Sequence, residues 1–337
     1  IHHALIDGVT GARMMVESLS PTPQGYKPPL WACEFDKHPT SRRNTRPRSL
    51  LQQITDLAKA GREILPGIGG GLWDMVRAQV EETAQAMPFQ APPTPFNVEI
   101  AGARRFASQS YSLARFKKIG AASGATVNDV TLAVCAGALR KYLEMQKALP
   151  RKPLVAMVPV SLHGETDEGG NQVSLLLANL GTHIKDPLKR LQSIVKSTAE
   201  AKKRLSSMPR LQKMAHGATS ISGMGLAMVT GAARKHPLFN VVISNVPGPR
   251  DTLYLDGSRL DEVYPVSIPT HYLALNITIS GYGDNLGFGY IACRRSVPSL
   301  QRMLDFTDQS IEELEAAVGM EAVPKKRAPR KASSKTA

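Results

Sequence analysis

Residues 2–8 read His2-His3-Ala4-Leu5-Ile6-Asp7-Gly8, and they concentrate the groups best suited to proton transfer. An imidazole, with an ordinary pKa near ~6.5, accepts a proton at neutral pH and so suits general-base work; a nearby carboxylate can fix its tautomer or hold the local geometry. If residues 1–4 finish a strand, His2 and His3 point to opposite faces, because side chains alternate along a strand. One ring then faces a cleft while the other faces the protein. That disfavours a metal ion held by both, and the H-E-x-x-H helix pattern is absent. Gly8 lets the backbone turn tightly into the element that follows. The competing structural reading is a strand end with a surface histidine pair and Asp7 as a helix cap.

Other residues offer weaker chemistry. Asn128 and Asp129 stand at the start of a helical pattern. An amide donates to an oxyanion without adding a competing charge, but Asn128 reads equally well as the N-cap of that helix. Pro247, Gly248 and Pro249 fix a rigid turn after an apolar run, either as structure or as the wall of a channel. Asn276 and Thr278 lie in an apparent strand and can be satisfied core polar groups. His163, His183, His216, His236 and His271 have no supporting motif and are expected to be structural or exposed. Cys33, Cys135 and Cys293 are odd in number and far apart, which supports neither a disulfide framework nor a zinc site and makes a reducing cytoplasm the default.

The elements that must position these groups follow from periodicity. Val9, Ala12, Val16 and Leu19 recur at helical spacing, and Pro21 and Pro23 end that helix. A loop is expected over 28–49, helices over 50–65 and 73–87, and a proline-marked crossover at 88–95. From 104 onward the pattern is mixed. Strands are expected over 105–113, 153–160, 171–180, 239–246, 272–280 and 286–293. Helices are expected over 113–120, 126–149, 187–208 and 297–318. The run Pro-Leu-Val-Ala-Met-Val-Pro-Val at 153–160 is continuously apolar, the signature of a buried internal strand. Interleaved strands and helices predict a layered α/β domain.

The chain has 337 residues, 42% of them hydrophobic, with 42 Lys+Arg against 28 Asp+Glu and a net charge of +14. This is a globular composition, long enough for two domains at about 100–200 residues each. No run of about 20 uncharged apolar residues occurs, so any membrane contact is expected to be peripheral; the apolar region 214–233 is diluted by four glycines and polar residues and reads as a packed helix. Six of the excess cations, Lys325, Lys326, Arg327, Arg330, Lys331 and Lys335, fall in an acid-free terminal stretch that is expected to be a disordered basic tail. Aromatic residues are only 5% and no nucleic-acid motif is present, so base stacking platforms are not evident and nucleic acid is an unlikely partner. The opening Ile1-His2-His3 carries neither the basic nor the apolar run of a secretion signal. A chain that begins on Ile with its most suggestive motif at residues 2–8 is expected to be a piece of something longer.

His2 to Gly8 matches the HHxxxDG motif of the CoA-dependent acyltransferase superfamily. Thr126-Val127-Asn128-Asp129-Val130, Pro159-Val160-Ser161, Asn179-Leu180, Ser244-Asn245-Val246-Pro247-Gly248-Pro249, Tyr264-Pro265-Val266-Ser267 and Leu275-Asn276-Ile277-Thr278 follow in family order. Together they resemble the bacterial wax ester synthase/acyl-CoA:diacylglycerol acyltransferase family from residue 1 to about residue 320. The resemblance implies a chloramphenicol-acetyltransferase-like two-domain α/β fold, mixed sheets flanked by helices, with a channel between the domains. Residues 1–95 would be the remainder of an N-terminally truncated first domain, 96–322 the second domain and 323–337 the tail. The family carries a longer segment ahead of HHxxxDG, and its Pro-Leu-Trp motif precedes HHxxxDG, whereas Pro29-Leu30-Trp31 follows it here.

The resemblance further implies O-acyl transfer from acyl-CoA to diacylglycerol or a long-chain alcohol. His3 would be the general base, His2, Asp7 and Gly8 would support the motif, and Asn128 and Asp129 would line the site or stabilise the intermediate. Acyl-CoA is then a co-substrate; no cofactor or metal is implied. A cytoplasmic protein touching the inner membrane face or lipid inclusions is expected. Two other classes compete: a non-catalytic lipid-surface-binding relative or inactive fragment, and a condensation-type amide-forming domain, which the Ser244–Pro249 and Leu275–Thr278 segments disfavour.

Overall fold

The computed structural model describes residues 8–28, 90–161, 173–207 and 231–320. The loop expected over 28–49, the helices over 50–65 and 73–87, the apolar region 214–233 and the tail 323–337 lie wholly or largely outside them.

Five α-helices, one 3-10 turn (Ala232–Arg234) and eight strands are described. In chain order the α-helices and strands are α1 (Gly8–Glu17), β1 (Arg104–Ser112), α2 (Leu113–Ser123), α3 (Val127–Met145), β2 (Val155–Ser161), β3 (Val173–Asn179), α4 (Pro187–Ser207), β4 (Val241–Val246), β5 (Tyr254–Leu255), β6 (Ser258–Arg259), β7 (Leu275–Tyr282), β8 (Asn285–Cys293) and α5 (Arg302–Ala317). Six strands form one mixed sheet in the order β1-β8-β7-β4-β2-β3, and β5 and β6 form a small hairpin. The β7–β4 and β4–β2 pairings are parallel and the others antiparallel. The apolar run expected to be internal is β2, which lies between β4 and β3.

Alternation sorts the sheet into two unlike faces. Ala156, Val158, Leu176, Ala178, Val241, Ile243, Leu275, Ile277, Ile279, Phe288 and Tyr290 share the main core with residues of α2, α3, α4 and α5. At the centre of this layer, α3 is apolar on most sides and buries residues from Asp129 through Leu139 without interruption, as a helix enclosed by others should. Bidentate hydrogen bonds of 2.6 Å each join Arg115 of α2 to Glu315 of α5, whose side chain is buried. Among the described residues no single helix is long and apolar enough to cross a membrane.

Several element ends differ from the sequence expectation, each for a backbone reason. The helix expected over 126–149 stops at Met145, because Lys147 turns left-handed at φ 53°. The helix expected from 297 begins at Arg302, after Ser299 at φ 57°. The strand expected from 272 begins at Leu275, since Tyr272 stands at φ 64° in a turn where Thr270 bridges Leu273.

The proline-rich crossover is held by buried amides. Asn97 donates from Nδ2 to the carbonyls of Phe239 and Tyr272, at 3.1 Å each. Asn240 donates to Pro92 O at 2.6 Å and to Asn97 Oδ1 at 2.8 Å, while accepting from the Val155 N–H at 2.9 Å. Each donor would be costly to bury unpaired, so this set pins residues 92–97 to the starts of β2 and β4.

Candidate active site

The sequence motifs meet on the face of the sheet turned away from the core shared with α2, α3, α4 and α5. On β4 and β7, Val242 pairs with Asn276, Ser244 with Thr278 and Val246 with Ser280. Thr278 pairs across its other edge with Gly289 of β8, and Gly289 with Ser108 of β1. Ser244, Thr278, Gly289 and Ser108 therefore make a row of small or hydroxyl-bearing residues across four strands. The Thr278 hydroxyl donates to Asn276 Oδ1 at 3.2 Å, and Asn276 is buried. Among the described residues this floor offers the hydroxyls of Ser244, Thr278 and Ser108 and the amide of Asn276.

The Tyr264–Ser267 segment crosses that face. A Cβ at Gly287 would lie 2.0 Å from the Val263 carbonyl oxygen, and one at Gly289 would lie 1.9 Å from that of Pro265. Glycine at both positions allows the segment to descend onto the strand. Tyr264 donates to the Glu262 carboxylate, which raises its phenol above the ordinary value. The rigid turn expected at Pro247–Pro249 is likewise a close approach, since a Cβ at Gly248 would lie 1.8 Å from the Gly281 carbonyl oxygen.

Gly8 opens α1, and α1 packs against β4. His2, His3 and Asp7 lie outside the described residues. The end of the helix is fastened by Leu19, buried with Leu253 and Tyr282, and by Ser20 and Tyr254, which exchange two backbone hydrogen bonds of 2.8 Å. Tyr282 completes the fastening, accepting from the Leu253 N–H at 2.9 Å and donating to the Leu260 carbonyl at 2.8 Å. The helix that follows the histidine motif is thus held beside the strand that carries Ser244.

Asn128 and Asp129 are the second and third residues of α3. Asn128 is half-buried, and its reading as the N-cap is corrected: the cap is Thr126, whose hydroxyl accepts from the Asp129 N–H at 3.2 Å. Asp129 completes a capping box, with Oδ2 accepting from the Thr126 N–H at 3.1 Å and its hydroxyl at 2.6 Å. Oδ1 accepts from Thr198 of α4 at 2.7 Å. Both carboxylate oxygens are therefore engaged within the helical layer, and the hydrogen bonds of Asp129 do not reach Ser244, Asn276 or Thr278. The Thr-x-x-Asp spacing carried this signal in the sequence.

Residues 1–131 match the wax ester synthase/diacylglycerol acyltransferase catalytic domain, and residues 169–315 match the WS/DGAT C-terminal domain. The probable diacylglycerol O-acyltransferase tgs2 of Mycobacterium tuberculosis is 44% identical over 324 residues, which cover 95% of this chain and 70% of that protein. The chain belongs to the wax ester synthase/diacylglycerol acyltransferase family. The O-acyltransferase WSD of Acinetobacter baylyi is 38% identical over 322 residues, covering 94% of this chain and 69% of its own length. Among solved structures, the wax ester synthase/diacylglycerol acyltransferase of Marinobacter aquaeolei VT8 superposes with a TM-score of 0.71 at 37% identity, over 95% of this chain and 68% of that one. The chain thus shares with a WS/DGAT enzyme the mixed sheet and helical layer described above, and it is an acyltransferase.

Proposed function

We propose that this chain transfers a fatty acyl group from acyl-CoA to a hydroxyl acceptor, diacylglycerol or a long-chain alcohol, with His3 as general base. The observation that carries this reading is the placement of the HHxxxDG motif directly ahead of α1, a helix packed against β4 beside a hydroxyl- and amide-bearing sheet face. The hydroxyls and amide of that face can orient a substrate, and His3 would supply the base.

In this reaction the neutral His3 ring accepts the proton of the acceptor hydroxyl as its oxygen attacks the thioester carbonyl. The tetrahedral oxyanion collapses with cleavage of the C–S bond, and the imidazolium returns its proton to the departing CoA sulfur. Ester and CoA thiol result, and no acyl-enzyme, resident cofactor or metal enters the balance. Asn128 is a candidate donor to the oxyanion. Asp129, with both oxygens spent on Thr126 and Thr198, stabilises the start of α3 and takes no part in the chemistry. His2, Asp7 and Gly8 hold the motif's turn.

The acceptors and products are apolar esters and alcohols, which supports work at a membrane face or lipid inclusion in the cytoplasm. The outward residues of α4 fit such contact: Lys189, Lys196 and Lys203 are exposed at helical spacing and would meet anionic lipid at roughly 1 kcal/mol each.

The test is thiol release from palmitoyl-CoA with dipalmitoylglycerol or hexadecanol. Release with either acceptor, reduced about 10²–10⁴-fold in His3→Ala, supports the reading. No release with either acceptor, or equal release by wild type and variant, overturns it.

A further inference from the structure

A cavity of about 550 Å³ opens on the helical layer, away from the face just described. It is lined by Gly137, Arg140, Lys141 and Glu144 of α3, by Lys185, Asp186, Pro187 and Arg190 at the start of α4, and by Glu313 of α5. Its volume is that of a small-ligand site.

At its base is an arginine in an unusual state. Arg190 is only 1% exposed. Its Nη1 donates to the carbonyls of Ile184 at 2.9 Å and Lys185 at 3.2 Å, while its buried Nε has no hydrogen-bond partner. Among the described residues no carboxylate forms an ion pair with it. Room for the guanidinium is made by Gly137, where a Cβ would stand 3.2 Å from Arg190 Nη2 and 2.5 Å from Ser310 Oγ. Burial lowers the Arg190 pKa, Glu313 opposing this from a distance and Arg140 adding to it. A guanidinium this deep without a direct counter-ion is costly.

The three acids of the cavity, Glu313, Asp186 and Glu144, oppose the lowering of the Arg190 pKa only from a distance, because each is hydrogen-bonded elsewhere. Glu144 holds Arg140 at 2.5 Å, Glu313 holds Lys141, and Asp186 accepts the Lys189 N–H at 2.8 Å to cap α4. Lys185, exposed at the rim, is a second cation facing the same space.

We propose that this cavity is a binding site for a phosphate monoester, held by Arg190 at its base and Lys185 at its rim. Arginine presents a planar set of donors that matches phosphate oxygens, and lysine adds a mobile point charge. The cavity exceeds a bare phosphate, so it takes an esterified one, either a soluble phosphate ester or the headgroup of an anionic lipid. The site is separate from the acyl-transfer face, and binding there needs no turnover.

The experiment follows thermal unfolding of the full chain while inorganic phosphate or glycerol 3-phosphate is titrated at constant ionic strength. Alongside it, co-sedimentation is measured with phosphatidylcholine vesicles with and without phosphatidic acid. A saturable rise in Tm is expected. Its half-saturation should move up about tenfold in Lys185→Gln, the loss of one charged contact, and the response should vanish in Arg190→Met. Without phosphate, Arg190→Met should be as stable as wild type or more so, since it removes an unpaired buried charge. Should that variant fail to fold, Lys185→Gln carries the test.

Phosphatidic-acid-dependent sedimentation that is lost in the same variants supports the site and assigns the lipid headgroup. A small-molecule response with unchanged sedimentation supports the site and assigns a soluble ester. No saturable response to any probe, or equal half-saturation in wild type and variants, overturns the proposal. Because no readout involves acyl transfer, failure here is distinguishable from failure of the enzymatic reading.

Discussion

At the scale of single residues, the Asn128-Asp129 pair separates chemistry from support. Asp129 satisfies the Thr126 N–H, the Thr126 hydroxyl and the Thr198 hydroxyl at once. Asp129→Ala removes a cap, worth ~1 kcal/mol, and a buried hydrogen bond, worth about 1–1.5 kcal/mol. A loss of roughly 2–3 kcal/mol in a urea unfolding curve is therefore expected, with specific activity of the folded fraction close to wild type. Asn128→Ala should show the reverse: stability within about 0.5 kcal/mol of wild type, and kcat lower by roughly 10²–10³-fold if its amide faces the oxyanion. Unchanged kcat in Asn128→Ala would remove it from the site. Both residues stood out in the sequence, but their division of labour did not. An Asn-Asp pair at a helix start satisfies either reading until the Thr198 hydroxyl, 69 positions from Asp129, is seen to occupy one carboxylate oxygen. Arg190 escaped the sequence reading for a related reason: it looks like one more cation in a basic helix until burial singles it out.

At the scale of elements, the alternation that located β2, β4, β7 and β8 also built two unlike faces, and glycine decides what covers the second. In Gly289→Ala the new methyl would meet the Pro265 carbonyl at 1.9 Å and the Phe106 ring at 3.2 Å. The covering segment must lift, at an expected cost of about 1–3 kcal/mol, read as a lower urea midpoint. Gly102→Ala is the control, because a methyl there meets nothing within 4 Å; it should change stability by less than about 0.5 kcal/mol. Equal midpoints for the two variants would show that the segment does not rest on β8. Periodicity revealed the long elements because each repeats its pattern over several turns or pleats. It gave no sign of the β5–β6 hairpin, whose two-residue strands are too short to alternate. Nor did it place the Val263–Ser267 crossing, which depends on two glycines in a strand more than twenty positions away.

At the scale of the whole molecule, one core joins the sheet to its helices, and three tyrosines in it make stability depend on alkaline pH. Tyr142 donates to the Pro298 carbonyl at 2.7 Å, Tyr111 to that of Leu304 at 3.4 Å, and Tyr290 shares a 2.7 Å hydrogen bond with Thr307. Burial is the largest cause that pushes all three phenols up, Tyr142 to about 12. An unfolded chain releases these protons near pH ~10, whereas the folded chain keeps them. The stability they contribute is therefore complete below pH ~10 and declines as pH rises from there through the folded values, by up to about 1.4 kcal/mol per pH unit for each phenol. Urea midpoints measured from pH 9 to 11.5 should be flat at first and then fall with a slope near three protons. In Tyr142→Phe one titrating group is gone, so the slope should drop by about one proton, while the midpoint at pH 8 falls slightly because the Pro298 carbonyl loses its donor. An unchanged slope in the variant would mean that Tyr142 already titrates in the folded state as it does in the unfolded chain, and that the core around it admits water.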